Sequence, residues 1–277
     1  MRTLARHRCF GGTVGFYAAP SEACGGEMKV GVFTPPGDGP FPVLFYLAGL
    51  TCTEETFLIK AGASRLAADL GLMLVACDTS PRGAGIPGED DDWDFGTGAG
   101  FYVDATEAPW SRAYRMYSHV TCELPDLIAR HFPADRNRLG ICGHSMGGHG
   151  ALVCALRNPE QYRSVSALAP VVAPTRVPWG RKAFAAYLGP REENWAAYDA
   201  CALVRQRCYP GVIRIDQGRE DQFLTAQLRP DLFETACREA GQGFELHWHA
   251  GYDHSYWFIQ SVIAHHLRHH ASALAPD

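Results

Sequence analysis

Short apolar, β-branched-rich runs recur along the chain, at Met28 to Phe33, Val43 to Leu47, Leu72 to Cys77, Leu139 to Cys142, Val165 to Leu168, Val212 to Asp216 and Phe244 to His249. Their length and near-continuous hydrophobicity predict strands buried on both faces. Between most of them lie stretches with helical spacing: Gly62 to Leu70, His119 to His131, Gly148 to Arg157, Leu228 to Ala240 and Tyr256 to His270. Asn158-Pro159 stops the third of these. Strands alternating with helices of this length need crossover connections, so the pattern predicts an α/β fold with a mainly parallel central sheet and helices on both faces. Punctuation is confined to the turn Pro35 to Pro40 and the stretch Pro81 to Gly100, with no repeat and no linker. A single domain over residues 1–277 is expected.

In a sheet of this kind chemistry gathers where strands end at their carboxyl side. Gly143-His144-Ser145-Met146-Gly147 stands at such a point, between the run ending at Cys142 and the helix to Arg157. A sharp strand-to-helix turn there exposes the hydroxyl of Ser145 as a nucleophile, and small residues at Gly143, Gly147 and Gly148 let strand and helix approach. The structural alternative is a glycine-rich turn. After Val212 to Asp216 come Gly218-Arg219-Glu220-Asp221, and after Phe244 to His249 come Tyr252-Asp253-His254. Nucleophile, acid and base thus fall at successive strand ends in the order Ser, Asp, His, the chain order of α/β-hydrolases.

His254 suits the general base, taking the Ser145 proton and returning it to the leaving group. Asp221 would orient His254, with Asp216 and Glu220 as rivals and Asp253 a turn residue. The oxyanion needs two backbone N–H donors. Met146 supplies one from the helix N-terminus, and the Gly49-Leu50-Thr51 turn the other, assigned to Leu50. His144 and His149 flank the serine, where they support or pack. His265, His266, His269 and His270 have the i,i+4 spacing of metal ligands, but a solvated helix end is the expected reading, and no metal is called for. The run Glu89-Asp90-Asp91-Asp92 is read in the same way, as a solvated loop.

Composition narrows the class. A net charge of −5 without a basic block argues against nucleic acid and anionic membranes as partners. No signal-peptide core lies in Met1 to Gly12 and no apolar run reaches about 18 residues, so a cytoplasmic location is expected. The ten cysteines, without a C-x-x-C pair, read as free thiols in a reducing compartment. No cofactor is expected.

At these residues the sequence resembles the S-formylglutathione hydrolase (esterase D) family almost end to end. The resemblance rests on Cys9-Phe10-Gly11-Gly12, Leu47-Ala48-Gly49-Leu50-Thr51-Cys52-Thr53, Gly143 to Leu152, Pro178-Trp179-Gly180, Asp216-Gln217-Gly218, Asp221-Gln222-Phe223-Leu224 and Gly251 to Tyr256. It implies the α/β-hydrolase fold and a Ser145, Asp221 and His254 triad with Leu50 and Met146 as oxyanion donors. The implied reaction is hydrolysis of S-formylglutathione to formate and glutathione in formaldehyde detoxification, by a homodimer. Trp179, Cys52 and His149 are placed in the substrate-binding group. Trp179 either walls the acyl pocket or belongs to the core, and Cys52 is either a thiol whose alkylation blocks activity or a plain buried one. Lys60, Arg181 and Lys182 are candidates for attracting the carboxylates of glutathione. The competing functions are a broad carboxylesterase or acyltransferase on the same fold, and a binding protein that has lost turnover.

Overall fold

A computed structural model describes residues 1–276. Nine strands form one sheet: β1 (Arg2–Cys9), β2 (Gly12–Ser21), β3 (Gly26–Thr34), β4 (Phe41–Leu47), β5 (Met73–Cys77), β6 (Ala134–His144), β7 (Tyr162–Leu168), β8 (Ile213–Gly218) and β9 (Phe244–His249). Their spatial order is β1-β2-β3-β5-β4-β6-β7-β8-β9. From β5 to β9 every pairing is parallel, while β1, β2 and β3 are joined antiparallel to one edge.

All seven predicted strands are present, with β9 matching its run and the others shifted or extended at their ends. β1 and β2 were not expected. β1 is an edge strand that carries Arg2, Arg6, His7 and Arg8 and is largely exposed, so it has no apolar run to read, and its charges guard the free edge. It returns into β2 through Phe10 and Gly11, both at positive φ (47° and 77°), as a two-residue hairpin turn requires.

The helices are α1 (Glu54–Lys60), α2 (Ser64–Asp69), α3 (Met116–Ser118), α4 (Leu124–His131), α5 (Met146–Arg157), α6 (Pro178–Tyr187), α7 (Ala200–Gln206), α8 (Pro230–Ala240) and α9 (Tyr256–Ala273). α1, α6 and α7 were not among the stretches read from the periodicity. The helix expected over His119 to His131 is instead a wide π turn at His119–Glu123 followed by α4. Pro125 explains the break: it offers no N–H to the carbonyl of Thr121. That carbonyl accepts from Gln161 Nε2 at 2.9 Å.

Ser164 and Ser166 point from β7 toward α9, and α5 packs along β4, β6 and β7. The buried apolar core runs from Phe16 to Leu274. No helix among the described residues is long and apolar enough to cross a membrane. All ten cysteines are free.

Candidate active site

β6 ends at His144, α5 starts at Met146, and Ser145 between them has φ 58° and ψ −119°. A non-glycine residue there costs on the order of 1–3 kcal/mol and persists only where its surroundings over-determine it. They do: Ser145 N–H donates to Leu168 O at 3.0 Å, and its carbonyl accepts from the N–H groups of His149 (3.0 Å) and Val171 (3.2 Å). Gly147 is required at the helix start, because a Cβ there would lie 1.9 Å from the Leu47 carbonyl oxygen. The turn presents Ser145 to a cleft of about 200 Å³, shared with Leu50, Cys52, Trp179, Phe223 and His254.

His254 follows β9 and meets Asp221, which follows β8: Nδ1 and Oδ2 are 2.6 Å apart. The Asp221 side chain is fully buried and is held by Phe223 N–H on Oδ1 at 2.8 Å and by Gln217 Nε2 on Oδ2 at 3.3 Å. A carboxylate on Nδ1 fixes the tautomer that leaves Nε2 as the proton acceptor. The rivals are elsewhere. Asp216 is engaged by Arg214, His249 and His266, and Glu220 is exposed. Asp253 makes a turn, accepting from the N–H (3.0 Å) and hydroxyl (2.6 Å) of Ser255 just before α9.

Leu50 lines the cleft, and Met146 opens α5, where first-turn N–H groups have no partner within the helix. Trp179 and Cys52 line the cleft as well. His149 does not: it is fully buried, its Nε2 2.9 Å from the Phe101 carbonyl, and desolvation pushes its pKa down to about 4. Its place is packing behind the elbow, which corrects the substrate-binding expectation. Burial pushes the Cys52 thiol up, against the opposing pull of Thr56, Tyr256 and Lys60.

Two further residues line the cleft: His144, expected to support or pack, and Trp93, which the sequence reading did not single out. The His144 ring lies 4.5 Å from that of His254, centroid to centroid, with both nitrogens buried and without a hydrogen-bond partner. Burial first, then the neighbouring His254, hold it well below the usual imidazole range, so it is neutral. Trp93, half-exposed, stands edge-on to Trp179 at 5.6 Å; Trp179 meets Phe223, which meets His254. A lone aromatic inside an acidic run was the available signal.

In the acidic run Asp90, Asp91 and Asp92 are exposed, as expected of a solvated loop, but two of its members are engaged. Glu89 is buried, accepting from Gly85 N–H at 2.8 Å, while Asp92 joins Asp94 on Lys182 at 2.9 and 2.6 Å. Lys182 is therefore occupied, as is Arg181 by Glu192 at 2.7 Å. The solvated-end reading of the last helix fails, since His266 and His270 are fully buried. His270 sits between Ser164 (2.7 Å) and Ser166 (2.8 Å), and His266 lies between Ser166 (2.8 Å) and Asp216 (3.1 Å).

A second Ser–His–acid group, Ser21, His119 and Glu123, lines a larger groove of about 390 Å³ or lies beside it. There the Ser21 hydroxyl donates to Glu123 (2.5 Å), and serine (3.2 Å) and glutamate (2.8 Å) meet the same Nδ1 of His119 while its Nε2 has no partner, so no relay runs from the serine through the ring to the acid. Ser21 also accepts from Cys24 N–H and Glu123 from Ala23 N–H, which marks the cluster as a turn fastener.

The Esterase family model matches residues 21–273. The S-formylglutathione hydrolase of Mus musculus is 52% identical over 99% of both chains, and that of Paracoccus denitrificans 50% identical over 98% of both. The solved S-formylglutathione hydrolase of Agrobacterium tumefaciens superposes with a TM-score of 0.97 at 47% identity, covering 99% of this chain and 100% of the other. A ferulic acid esterase, 17% identical with a TM-score of 0.74 over 96% of this chain and all of its own, shares the fold. With the elbow, the sheet order and this end-to-end identity together, the chain belongs to the S-formylglutathione hydrolase family of esterases, on an α/β-hydrolase fold.

Proposed function

We propose that this hydrolase cleaves S-formylglutathione to formate and glutathione, with Ser145 as nucleophile, His254 as general base and acid, and Asp221 as its orienting carboxylate. The 2.6 Å pair between His254 and Asp221, opening on the same cleft as Ser145, carries the mechanism. Identity to hydrolases of that name over nearly the whole chain supports the substrate.

Ser145 Oγ adds to the formyl carbon as Nε2 of His254 takes its proton. The oxyanion meets the N–H groups of Leu50 and Met146, each worth about 2.7–4 kcal/mol in a comparable hydrolase. Collapse expels the glutathione sulfur, which receives the proton from His254, and leaves formyl-Ser145. Water, deprotonated by His254, adds to that ester, and formate departs as the Ser145 hydroxyl is restored. A thiolate leaves easily, so addition and oxyanion stabilisation set the barrier.

The same reading takes residues 1–277 as a single domain, acting as a cytoplasmic homodimer in formaldehyde detoxification. Steady-state turnover of S-formylglutathione by the wild type and Ser145→Ala tests it. The variant should lose several orders of magnitude in kcat with its fold intact, and a kcat/KM no higher on S-formylglutathione than on p-nitrophenyl acetate would turn the reading toward a general carboxylesterase.

A further inference from the structure

We infer that Lys60 receives a carboxylate of the leaving thiol at the mouth of the cleft and thereby sets the preference for glutathione thioesters over neutral esters. The inference deepens the S-formylglutathione reading and rests on it. Glutathione carries two carboxylates and one ammonium, while the protein has a net charge of −5, so attraction has to be local. The cleft, about 200 Å³, is smaller than the roughly 300–1,000 Å³ of sites that enclose drug-sized ligands. It holds the acyl group and the sulfur, and the peptide lies across its rim.

Most cations that could serve this rim are already neutralised. Lys182 is bound by Asp92 and Asp94, Arg181 by Glu192, and Arg82 by Asp78 at 2.7 Å. Lys60 differs: among the described residues no carboxylate lies within ion-pair range of it. It is the last residue of α1, exposed, and its Nζ stands 5.9 Å from the ring centroid of Tyr256, a cleft-lining residue. A cation over an aromatic face is held in place without losing its charge to a counter-ion. That charge reaches the cleft, since Lys60 is among the groups that counter the effect of burial on the Cys52 thiol. A carboxylate arriving there gains a partner and breaks no existing pair.

Steady-state kinetics on S-formylglutathione and p-nitrophenyl acetate, for wild type, Lys60→Glu, Lys60→Arg and Lys29→Glu, tests the assignment. Lys29, exposed on β3 and outside the cleft, controls for net charge. Lys60→Glu should raise KM for S-formylglutathione about tenfold with kcat little changed, lowering the ratio of the two kcat/KM values about tenfold. Lys60→Arg should restore most of that ratio, and Lys29→Glu should leave it at the wild-type value. Salt should raise the wild-type KM by screening an attraction and lower that of Lys60→Glu by screening a repulsion. A Lys60→Glu ratio equal to wild type overturns the assignment while the hydrolase reading stands, and so does an equal fall for both charge reversals. A wild type inactive on S-formylglutathione overturns the reading and this inference together.

Discussion

Asp216 and Asp221 leave the same segment toward different histidines: Asp216 Oδ1 lies 2.7 Å from His249 Nε2, and Asp221 Oδ2 lies 2.6 Å from His254 Nδ1. The first carboxylate is inside β8, pinned by Arg214 at 2.8 Å, and the second is beyond the strand end, beside the cleft. Burial pushes Asp216 up, but His266 and Arg214 outweigh it and hold its carboxyl below the usual range.

The two asparagine variants should therefore separate. Asp221→Asn should lower kcat by about 10⁴, the effect of the equivalent change in a serine protease, through loss of the correct tautomer, with stability little changed. Asp216→Asn strands a partly buried guanidinium and should cost about 3–5 kcal/mol of stability with a smaller effect on kcat. Urea midpoints alongside kcat check both, and a larger kcat loss in Asp216→Asn would reverse the assignment.

His144 holds the His254 ring from behind and, being neutral, does not repel the imidazolium that forms during turnover. We expect His144→Phe to keep the ring contact and most of kcat, while His144→Ala should lose about tenfold in kcat because the His254 ring is then free to tilt. A His144→Ala variant with wild-type kcat would reduce the residue to a space-filler.

Gly147→Ala places a methyl group where the Leu47 carbonyl oxygen now stands, backbone against backbone. The start of α5 has to move, and Ser145 with it. A loss of about 1–3 kcal/mol or more in stability is expected, together with slowed labelling of Ser145 by a fluorophosphonate probe. Wild-type labelling in a destabilised variant would show that the elbow holds without this close approach.

Cys52 shares the cleft with Ser145, and burial keeps its thiol protonated at neutral pH. Iodoacetamide should therefore inactivate the enzyme slowly, faster as pH rises toward the thiol's raised pKa, by crowding the acyl site. Cys52→Ser should be insensitive. Equal sensitivity in that variant would move the effect to another cysteine.

The interior strands were legible because parallel strands covered on both sides must be apolar throughout, and the catalytic candidates because they end those strands. Residues whose position depends on a distant partner were not. Nothing near His270 in sequence announces Ser164 and Ser166, and nothing near Lys182 distinguishes a cation free for substrate from one bound by Asp92 and Asp94. Local pattern reports which face of an element is buried. It does not report which polar group waits there.

The buried histidines give the last prediction. His144, His149, His266 and His270 all have their pKa lowered in the folded protein, with burial the largest cause, and all are neutral there. In the unfolded chain each titrates near 6.5. Below that pH the unfolded state binds more protons, so the stability they contribute is fully present above about pH 6.5 and is lost as pH falls, down to about 4 for His149. Each contributes up to ~1.4 kcal/mol per pH unit within its own window. Asp216, with its pKa lowered, adds to the loss only at more acidic pH, below the ordinary carboxylate value near 3.9. Urea midpoints should thus be flat from pH 8 to 7 and fall steeply between 6.5 and 5. His270→Gln, which keeps a polar group between Ser164 and Ser166 but cannot titrate, should be less stable at pH 7.5 and show a shallower fall. A midpoint independent of pH down to 5 would mean that these rings are charged in the fold, against the burial seen for all four.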